Sequence, residues 1–256
     1  MKRLKSIINL LLPVATFAVI IIAWAALCAS EALPAFMMPS PKAVLDAFIG
    51  DFKLLCIHSK YTLAETFTGM GISIVLSFLL AVVMDRFNWI KKAVYPLLVV
   101  TQTVPSIAIA PLLVLWFGFG MSPKVILIVV VCFFPLAIGF LDGFASADED
   151  EIKLLKSMGA NNAQIFRHVK FPRSLPHFFA GLKVSSSYCI VSAVISEWLG
   201  GTNGLGVYMT RVRKSYAFDK MFAVIILVSL LSILLMALIS LLEKVTMPYN
   251  NKEKKQ

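Results

Sequence analysis

Long stretches without a charged side chain are the feature that most limits what this chain can fold into. Residues 7–30, 66–84, 93–123 and 221–242 contain no Asp, Glu, Lys or Arg. A helix of roughly 20 apolar residues crosses a bilayer core about 30 Å thick. The whole chain is 59% hydrophobic and only 15% charged, whereas soluble domains average about 25% charged residues. The sequence therefore predicts an all-α integral membrane protein.

The apolar pattern predicts about six transmembrane helices. The run at 93–123 is too long for one span, and its Gly- and Pro-rich end, FGFGMSP at 117–123, marks a turn. The fifth span is the weakest because it contains both Lys183 and Glu197. These residues lie about 21 Å apart along a helix, so we expect each to reach its own membrane interface. The predicted spans are 7–30, 66–84, 93–117, 125–144, 175–198 and 221–242.

The distribution of Lys and Arg predicts that both chain termini are cytoplasmic. With the N-terminus inside, the inner segments contain 15 of these residues and the outer segments 7, and cytoplasmic loops carry the excess. The net charge of +10 then reflects topology and contact with anionic lipid in the bilayer, and we expect no nucleic-acid partner. The basic residues between Arg211 and Lys220 do not follow this bias.

Other sequence features argue against an enzyme or a processed leader. Residues 7–30 exceed the 7–15 apolar residues of a signal peptide, so we expect an uncleaved first helix. The cysteines at 28, 56, 132 and 189 lack metal-ligand spacing and are expected to be small buried hydrophobic residues. We predict no catalytic residue, metal or cofactor, because His58, His168 and His177 pair with no nucleophile or metal-ligand set.

The longest inner loop, residues 145–174, contains more local structure than a simple connection needs. Four acidic residues at 148–151 suit the positive end of a helix dipole. Gly159 then interrupts the helical pattern, as a glycine after a helix C-terminus does. The pattern predicts a short helix that ends in a hinge at this glycine.

A second short helix is predicted after that glycine. Spacings of three and four residues place Ile165, Phe166 and Val169 on one side of it. Pro172 and Pro176 are expected to stop this helix and to set the direction of the fifth span. A helix lying on lipid headgroups would need only amphipathicity. The hinge and the two prolines favour docking of the loop into a groove of a protein partner.

This loop resembles that of the integral-membrane permeases of binding-protein-dependent ATP-binding-cassette importers. Their pattern is E-A-A-x-x-x-G, nine variable residues, and then an apolar residue, x, L and P. Lys153, Leu154 and Leu155 stand where Glu-Ala-Ala would be, so the salt bridge of that glutamate is not expected here. The matching residues are Gly159, Ala160, Phe166, Val169, Pro172, Leu175 and Pro176.

Three further stretches resemble the sulfonate, taurine and nitrate permease subgroup of the same family. They are LPAFMMPSPKAVLDAF at 33–48, TVPSIAIAPLLVLWFGFG at 103–120 and SEWLGGTNGLGVYM at 196–209. The motifs occur in the family's order and cover most of the chain. The resemblance implies the type I ABC importer permease fold, a single transmembrane permease domain over residues 1–256, and a bacterial or archaeal inner membrane.

The resemblance also implies a division of labour among subunits. This chain has no G-x-x-x-x-G-K-[ST] phosphate loop, so ATP hydrolysis is expected on separate cytoplasmic ATPase subunits. An extracytoplasmic substrate-binding protein would deliver the substrate, and a second copy of the permease would form a homodimer. The loop at 145–174 would be the coupling loop, in which Gly159 and Ala160 shape the turn. Phe166 and Val169, beside Ile165, would anchor it in the ATPase.

The sequence indicates less about the translocation pathway and about the substrate. Pro105 and Pro111 can kink the third span, and Glu197 is an ionisable group near the end of a span. We expect a sulfonate, taurine or nitrate-like substrate or a vitamin precursor, and the absence of a mid-span basic residue favours a small organic nutrient. The alternative is an ion-coupled secondary transporter, which would place carboxylates near the bilayer midplane.

Overall fold

A computed structural model of the chain describes residues 2–30, 34 and 37–247. Leu33, Ala35 and Phe36 of the first resembling stretch therefore lie outside the described residues, as do Lys252, Lys254 and Lys255 of the inner charge count. A single turn of π-helix, Phe166–Lys170, joins α8 to α9. The α-helices of the described part are α1 Lys2–Ala29, α2 Pro41–Gly50, α3 Phe52–Arg86, α4 Asn88–Thr101, α5 Ser106–Phe117, α6 Met121–Ala145, α7 Glu149–Ser157, α8 Asn162–Ile165, α9 Phe171–Leu199, α10 Leu205–Lys214 and α11 Phe218–Thr246.

The predicted all-α membrane architecture is confirmed. Five segments are long and apolar enough to cross a membrane, and the bent pair α4 and α5 makes up to six. The third predicted span is not one continuous helix, because α4 and α5 meet at 99° across residues 102–105. Pro105 lies at this break, where its ring has no N–H to continue the helix. The straight segments are Leu12–Ala29, Phe52–Arg86, Met121–Ala145, Asn162–Leu199 and Phe218–Thr246.

The described residues fall into two compact units. The smaller is built from Met1–Ile57 and Tyr208–Leu227, and the larger from His58–Val207 and Val228–Gln256. In the smaller unit, the PSP stretch after α1 begins α2. The side chain of Ser40 accepts a hydrogen bond from the Ala43 N–H at 3.2 Å, and Pro41 occupies the first helical position, where no N–H is needed.

The core of the larger unit is formed by α3, α6, α9 and α11. Small residues let α6 and α9 approach closely: a side chain at Gly139 or Gly143 of the GFLDG sequence would collide with the α9 backbone. Hydroxyls of Ser73 and Ser77 on α3 donate to α6 carbonyls at 3.3 and 3.0 Å. The buried residues of this core are Met70, Ile128, Cys132, Leu136, Phe179, Leu182, Cys189, Ile190, Ala193, Leu235, Ile239 and Met247.

The cysteine prediction is confirmed for two positions and wrong for another. Cys132 and Cys189 are buried between α6 and α9, whereas Cys56 is exposed on α3. An apolar side chain on a membrane helix can face lipid as readily as protein, because lipid tails are equally apolar. Burial of a membrane-helix cysteine therefore does not follow from its apolar surroundings.

Candidate functional site

The loop between α6 and α9 begins with a well-capped helix, as its four acidic residues predicted. Asp148 is the N-cap of α7 and accepts a hydrogen bond from the Asp150 N–H at 2.8 Å. Glu149, Asp150 and Glu151 occupy the first turn and Lys156 the last. The acidic residues therefore complement the positive N-terminal end of the helix dipole, and Lys156 complements the negative C-terminal end. These interactions explain how so short a helix is stabilised at a polar surface.

Gly159 supplies the turn that ends α7. Its φ of +83° is left-handed, a conformation that costs other residues roughly 1–2 kcal/mol. The following N–H of Ala160 donates to the Leu155 carbonyl at 2.9 Å and so closes the helix end. Asn161 and Gln164 then form a reciprocal capping box that starts α8. The predicted turn at Gly159 is present, and a helix begins after it at Asn162.

Gly159→Ala should destabilise the protein by about 1 kcal/mol, because alanine must adopt the left-handed turn. Thermal unfolding of the purified protein in detergent measures this loss. Gly71→Ala is the matched control, since Gly71 lies inside α3 with open space around an added methyl group and alanine favours a helix. Equal melting temperatures for both variants would contradict the assigned strain.

The predicted anchor residues face this chain itself. Ile165 is 4% exposed and Val169 8% exposed. The half-buried ring of Phe166 lies 5.1 Å from that of Phe144, and Phe144 belongs to a buried cluster of α3, α4 and α6 side chains. The insertion of these three side chains into an ATPase stays a prediction. In this structure they hold the loop against the rest of this chain.

Two ion pairs reinforce that attachment. Lys170 binds both carboxylate oxygens of Asp85 at 2.7 and 2.8 Å, and Arg173 binds Glu151 at 2.6 Å. The first links the π-turn to the end of α3, and the second links α9 to α7. The loop is thereby tied to α3 and α9 at two separate points.

The two prolines do not stop a helix as predicted, because helix continues from Asn162 to Leu199. The π-turn precedes Pro172, and the Phe171 N–H donates to the carbonyl of Phe166, five residues earlier. A proline in a regular α-helix would clash with the carbonyl four residues before it. The wider π-turn relieves this crowding, and Pro176 is accommodated inside α9.

A cluster of charged residues is buried at one end of the spans, where only Glu197 was predicted to matter. Lys124, near the start of α6, binds Glu65 of α3 at 2.6 Å, and both are almost fully buried. Glu197, near the end of α9, is 1% exposed. It accepts hydrogen bonds from the Thr62 hydroxyl at 2.7 Å and the Gly206 N–H at 2.6 Å. Glu197 therefore does not snorkel to the interface.

The glycine-rich loop after α9 closes over this cluster. The Leu205 N–H donates to Thr62 at 2.9 Å, and the Gly204 N–H donates to Nδ1 of His58 at 3.0 Å. Gly204 has φ +124°, and a side chain there would overlap the Glu197 carboxylate. The loop is a cap built around one buried carboxylate.

Sequence reasoning missed Glu65 and Lys124. Glu65 stands immediately before a charge-free run and Lys124 immediately after one, so both lie just outside the predicted spans. No local pattern marks their burial, because each helix extends beyond the apolar run that predicts it. Lys183 pairs with Glu243 near the end of α11.

The pathway prolines occupy different environments. Pro105 is the N-cap residue of α5 and lines a cavity of about 300 Å³ at the helix break. Pro111 is inside α5, which continues through it, and does not line that cavity. Glu197 does not line it either, because its carboxylate is enclosed by the cap just described.

In the smaller unit, Lys220 has a defined partner. Its ammonium binds Oδ2 of Asp51 at 2.7 Å, and the Tyr208 hydroxyl donates to the same oxygen at 2.5 Å. The hydrogen bond from Lys220, followed by that from Tyr208, lowers the pKa of Asp51 below its ordinary value of 3.8. One residue of the unexplained basic segment therefore has a structural role.

The stability contributed by the ion pair of Asp51 and Lys220 should decrease at acidic pH. The pKa of the Asp51 carboxyl is lower in the folded state than in the unfolded state, so its ionised form stabilises the fold at pH values above the unfolded-state pKa. This stabilisation is lost as the pH falls through the folded-state pKa. We expect Asp51→Asn to flatten the fall in melting temperature between about pH 5 and 3. Asp46→Asn, at an exposed position of α2, is the control. Identical profiles for both variants would contradict the assignment.

Comparison with known proteins places these features in one family. Residues 73–246 match the family described as the binding-protein-dependent transport system inner membrane component. A formylaminopyrimidine transport permease of Halalkalibacterium halodurans is 36% identical over 85% of this chain and 88% of its own. A taurine transport permease of Escherichia coli is 25% identical, over 88% of this chain and 84% of its own.

A solved structure supports the fold. A chain of the MetNI methionine ABC transporter in an inward-facing conformation superposes with a TM-score of 0.63, at 18% identity, and covers 72% of this chain and 92% of its own. The predicted permease resemblance is thereby confirmed, and the enclosed loop, the glycine-capped carboxylate and the broken span lie within or beside the matched region. This chain belongs to the family of binding-protein-dependent transport system inner membrane components.

Proposed function

We propose that this chain is the membrane-spanning permease of an ATP-driven importer and carries a small, uncharged organic nutrient. The observation that carries the proposal is the loop at 148–170, which is held to the spans by buried apolar side chains and ion pairs and contains no nucleotide-binding motif. The relative at 36% identity is a formylaminopyrimidine transport permease, so an aminopyrimidine is the first candidate substrate. Sulfonates and taurine are the competing class.

The proposed complex contains two copies of the permease, and both termini of each copy lie in the cytoplasm. In this arrangement α7 and α8 face the ATPase subunits. Leu154 is 62% exposed and Met158 74% exposed, and a spacing of four residues puts them on one side. We assign ATPase docking to these two side chains. Ile165, Phe166 and Val169 hold the loop to the permease body instead.

The opposite membrane face would receive the substrate-binding protein. Helix α10 ends with Arg211, Arg213 and Lys214, which are exposed and complement the negative end of the helix dipole. A binding protein with an acidic docking surface would match this charge. Such a contact would also account for basic residues on the side where the topology bias disfavours them.

Copurification tests the proposed assembly. The tagged permease is isolated from native membranes in mild detergent, and retained proteins are identified by mass spectrometry. We expect an ATP-binding-cassette ATPase and an extracytoplasmic binding protein, with two permease copies per complex by native mass spectrometry. Repeated recovery of the permease alone from transport-competent membranes would contradict the proposal and favour an ion-coupled transporter.

A further inference from the structure

The break between α4 and α5 creates a cavity. The two helices meet at 99°, and the space beside the break has a volume of about 300 Å³. This is at the lower end of the range for small-molecule sites, about 300–1,000 Å³. Its lining residues are Thr101, Gln102, Val104, Pro105, Ser106, Ile109, Val130, Val131 and Tyr188.

Two neighbouring helices place this cavity near the middle of the bilayer. Tyr188 is 11 residues before Leu199, the end of α9, or about 16 Å at 1.5 Å per residue. Val130 is nine residues after Met121, the start of α6, or about 14 Å. Both depths are close to half of a hydrocarbon core about 30 Å thick.

Polar groups at this depth are left without protein partners. The side chains of Gln102, Ser106 and Tyr188 make no hydrogen bond within the described part of the chain. Gln102 is exposed, and Tyr188 is 54% exposed. Unsatisfied polar groups and broken backbone are tolerated at membrane depth only where they are covered by protein or line a water-filled cavity. The break therefore lies against water, a polar ligand or a second permease copy, and the labelling experiment below separates the first two from the third.

We propose that this cavity is a mid-membrane binding station for an uncharged, planar, hydrogen-bonding nutrient, an inference that rests on the proposed function. The Gln102 amide can both donate and accept, which suits ring nitrogens and amino groups. The Tyr188 ring offers a flat aromatic surface, and Ile109, Val130 and Val131 are apolar walls. None of the described residues that line the cavity carries a charge, so a sulfonate or carboxylate would lack a partner for its charge among them.

Cysteine accessibility tests both halves of this inference in the assembled complex. A membrane-impermeant methanethiosulfonate reagent should label Gln102→Cys and Ser106→Cys at least about tenfold faster than Leu234→Cys. Leu234 is the matched control because it is an exposed apolar residue in the middle of α11. The parent chain gives the background from its own cysteines. Equal labelling at Gln102→Cys and Leu234→Cys would overturn the assignment of a water-accessible site.

Ligand protection then identifies the chemical class. A substituted aminopyrimidine should slow labelling of Gln102→Cys several-fold, whereas taurine at the same concentration should not. Protection by taurine, or by neither compound, would overturn the assignment of an uncharged planar ligand. For a readout without an introduced thiol, Gln102→Leu should weaken binding of the tritiated aminopyrimidine about tenfold, the effect of one hydrogen bond. Unchanged binding would overturn the role of the amide.

These measurements separate failure of the site from failure of the importer function. Labelling, protection and equilibrium binding need neither ATP nor an energised membrane. If protection occurs but ATP never drives uptake, the binding station stands and the importer proposal fails. If ATP drives aminopyrimidine uptake and neither labelling nor protection occurs, the importer stands and this site is wrong.

Discussion

Lys124→Met should lower the free energy of unfolding by about 3–5 kcal/mol, the cost of leaving a buried charge without its partner. The ammonium of Lys124 is the cation that binds Glu65, and Glu65 also interacts with Glu197. Removing the Lys124 ammonium leaves the carboxyl groups of Glu65 and Glu197 enclosed together without this cation. Chemical denaturation in detergent, followed by Trp fluorescence, measures the change.

A double-mutant cycle gives the control for this prediction. Glu65→Leu combined with Lys124→Met removes both charges, and replacing a whole buried pair by apolar groups is often close to neutral. We therefore expect the double variant to recover much of the stability lost in either single one. Lys53→Met, at an exposed position, should change stability by less than about 0.5 kcal/mol. A Lys124→Met variant as stable as Lys53→Met would show that the pair is not enclosed.

The second large effect is expected at the coupling loop. Leu154→Asp with Met158→Asp should reduce the ATPase retained during copurification at least about tenfold, because apolar side chains at the centre of an interface carry most of its affinity. Both residues are exposed in the free permease, so its melting temperature should not change. The measurement is quantitative mass spectrometry of the purified complex together with thermal unfolding of the permease alone.

Phe166→Asp supplies the contrasting variant. Its ring packs against Phe144 inside this chain, so the introduced carboxylate should lower the melting temperature of the permease itself. If Phe166→Asp instead leaves the melting temperature unchanged and releases the ATPase, Phe166 is the docking residue. The assignment of docking to Leu154 and Met158 would then be wrong.

Four of the six predicted spans were clear because each is free of charged residues, a signal that needs no knowledge of packing. The turn at Gly159 was also predictable, since glycine after a helical pattern is a local backbone signal. The direction in which a side chain points was not predictable from the sequence. Ile165 and Val169 form an apolar stripe, and a stripe on a short helix fits a partner's groove or the chain's own core equally well.

The buried charges show a different limit. Glu65 and Lys124 lie at the ends of apolar runs, where charged residues normally meet water, and their burial results from contact between α3 and α6. No local pattern records that contact. Likewise, the glycines of GGTNGLG are typical of a turn, but only the packed structure shows Gly204 and Gly206 against the Glu197 carboxylate. Pro105 marked a kink, whereas the 99° bend and its cavity depend on neighbouring helices.

Reconstituted transport is the most direct test of the central claim that this chain is the permease of an ATP-driven importer. The purified permease, its copurifying ATPase and binding protein are assembled in proteoliposomes, and uptake of labelled formylaminopyrimidine is measured with ATP inside or outside the vesicles. We predict uptake that requires ATP on the side of α7 and loaded binding protein on the opposite side. Uptake driven by an ion gradient without ATP, at the rate seen with ATP, would contradict the account.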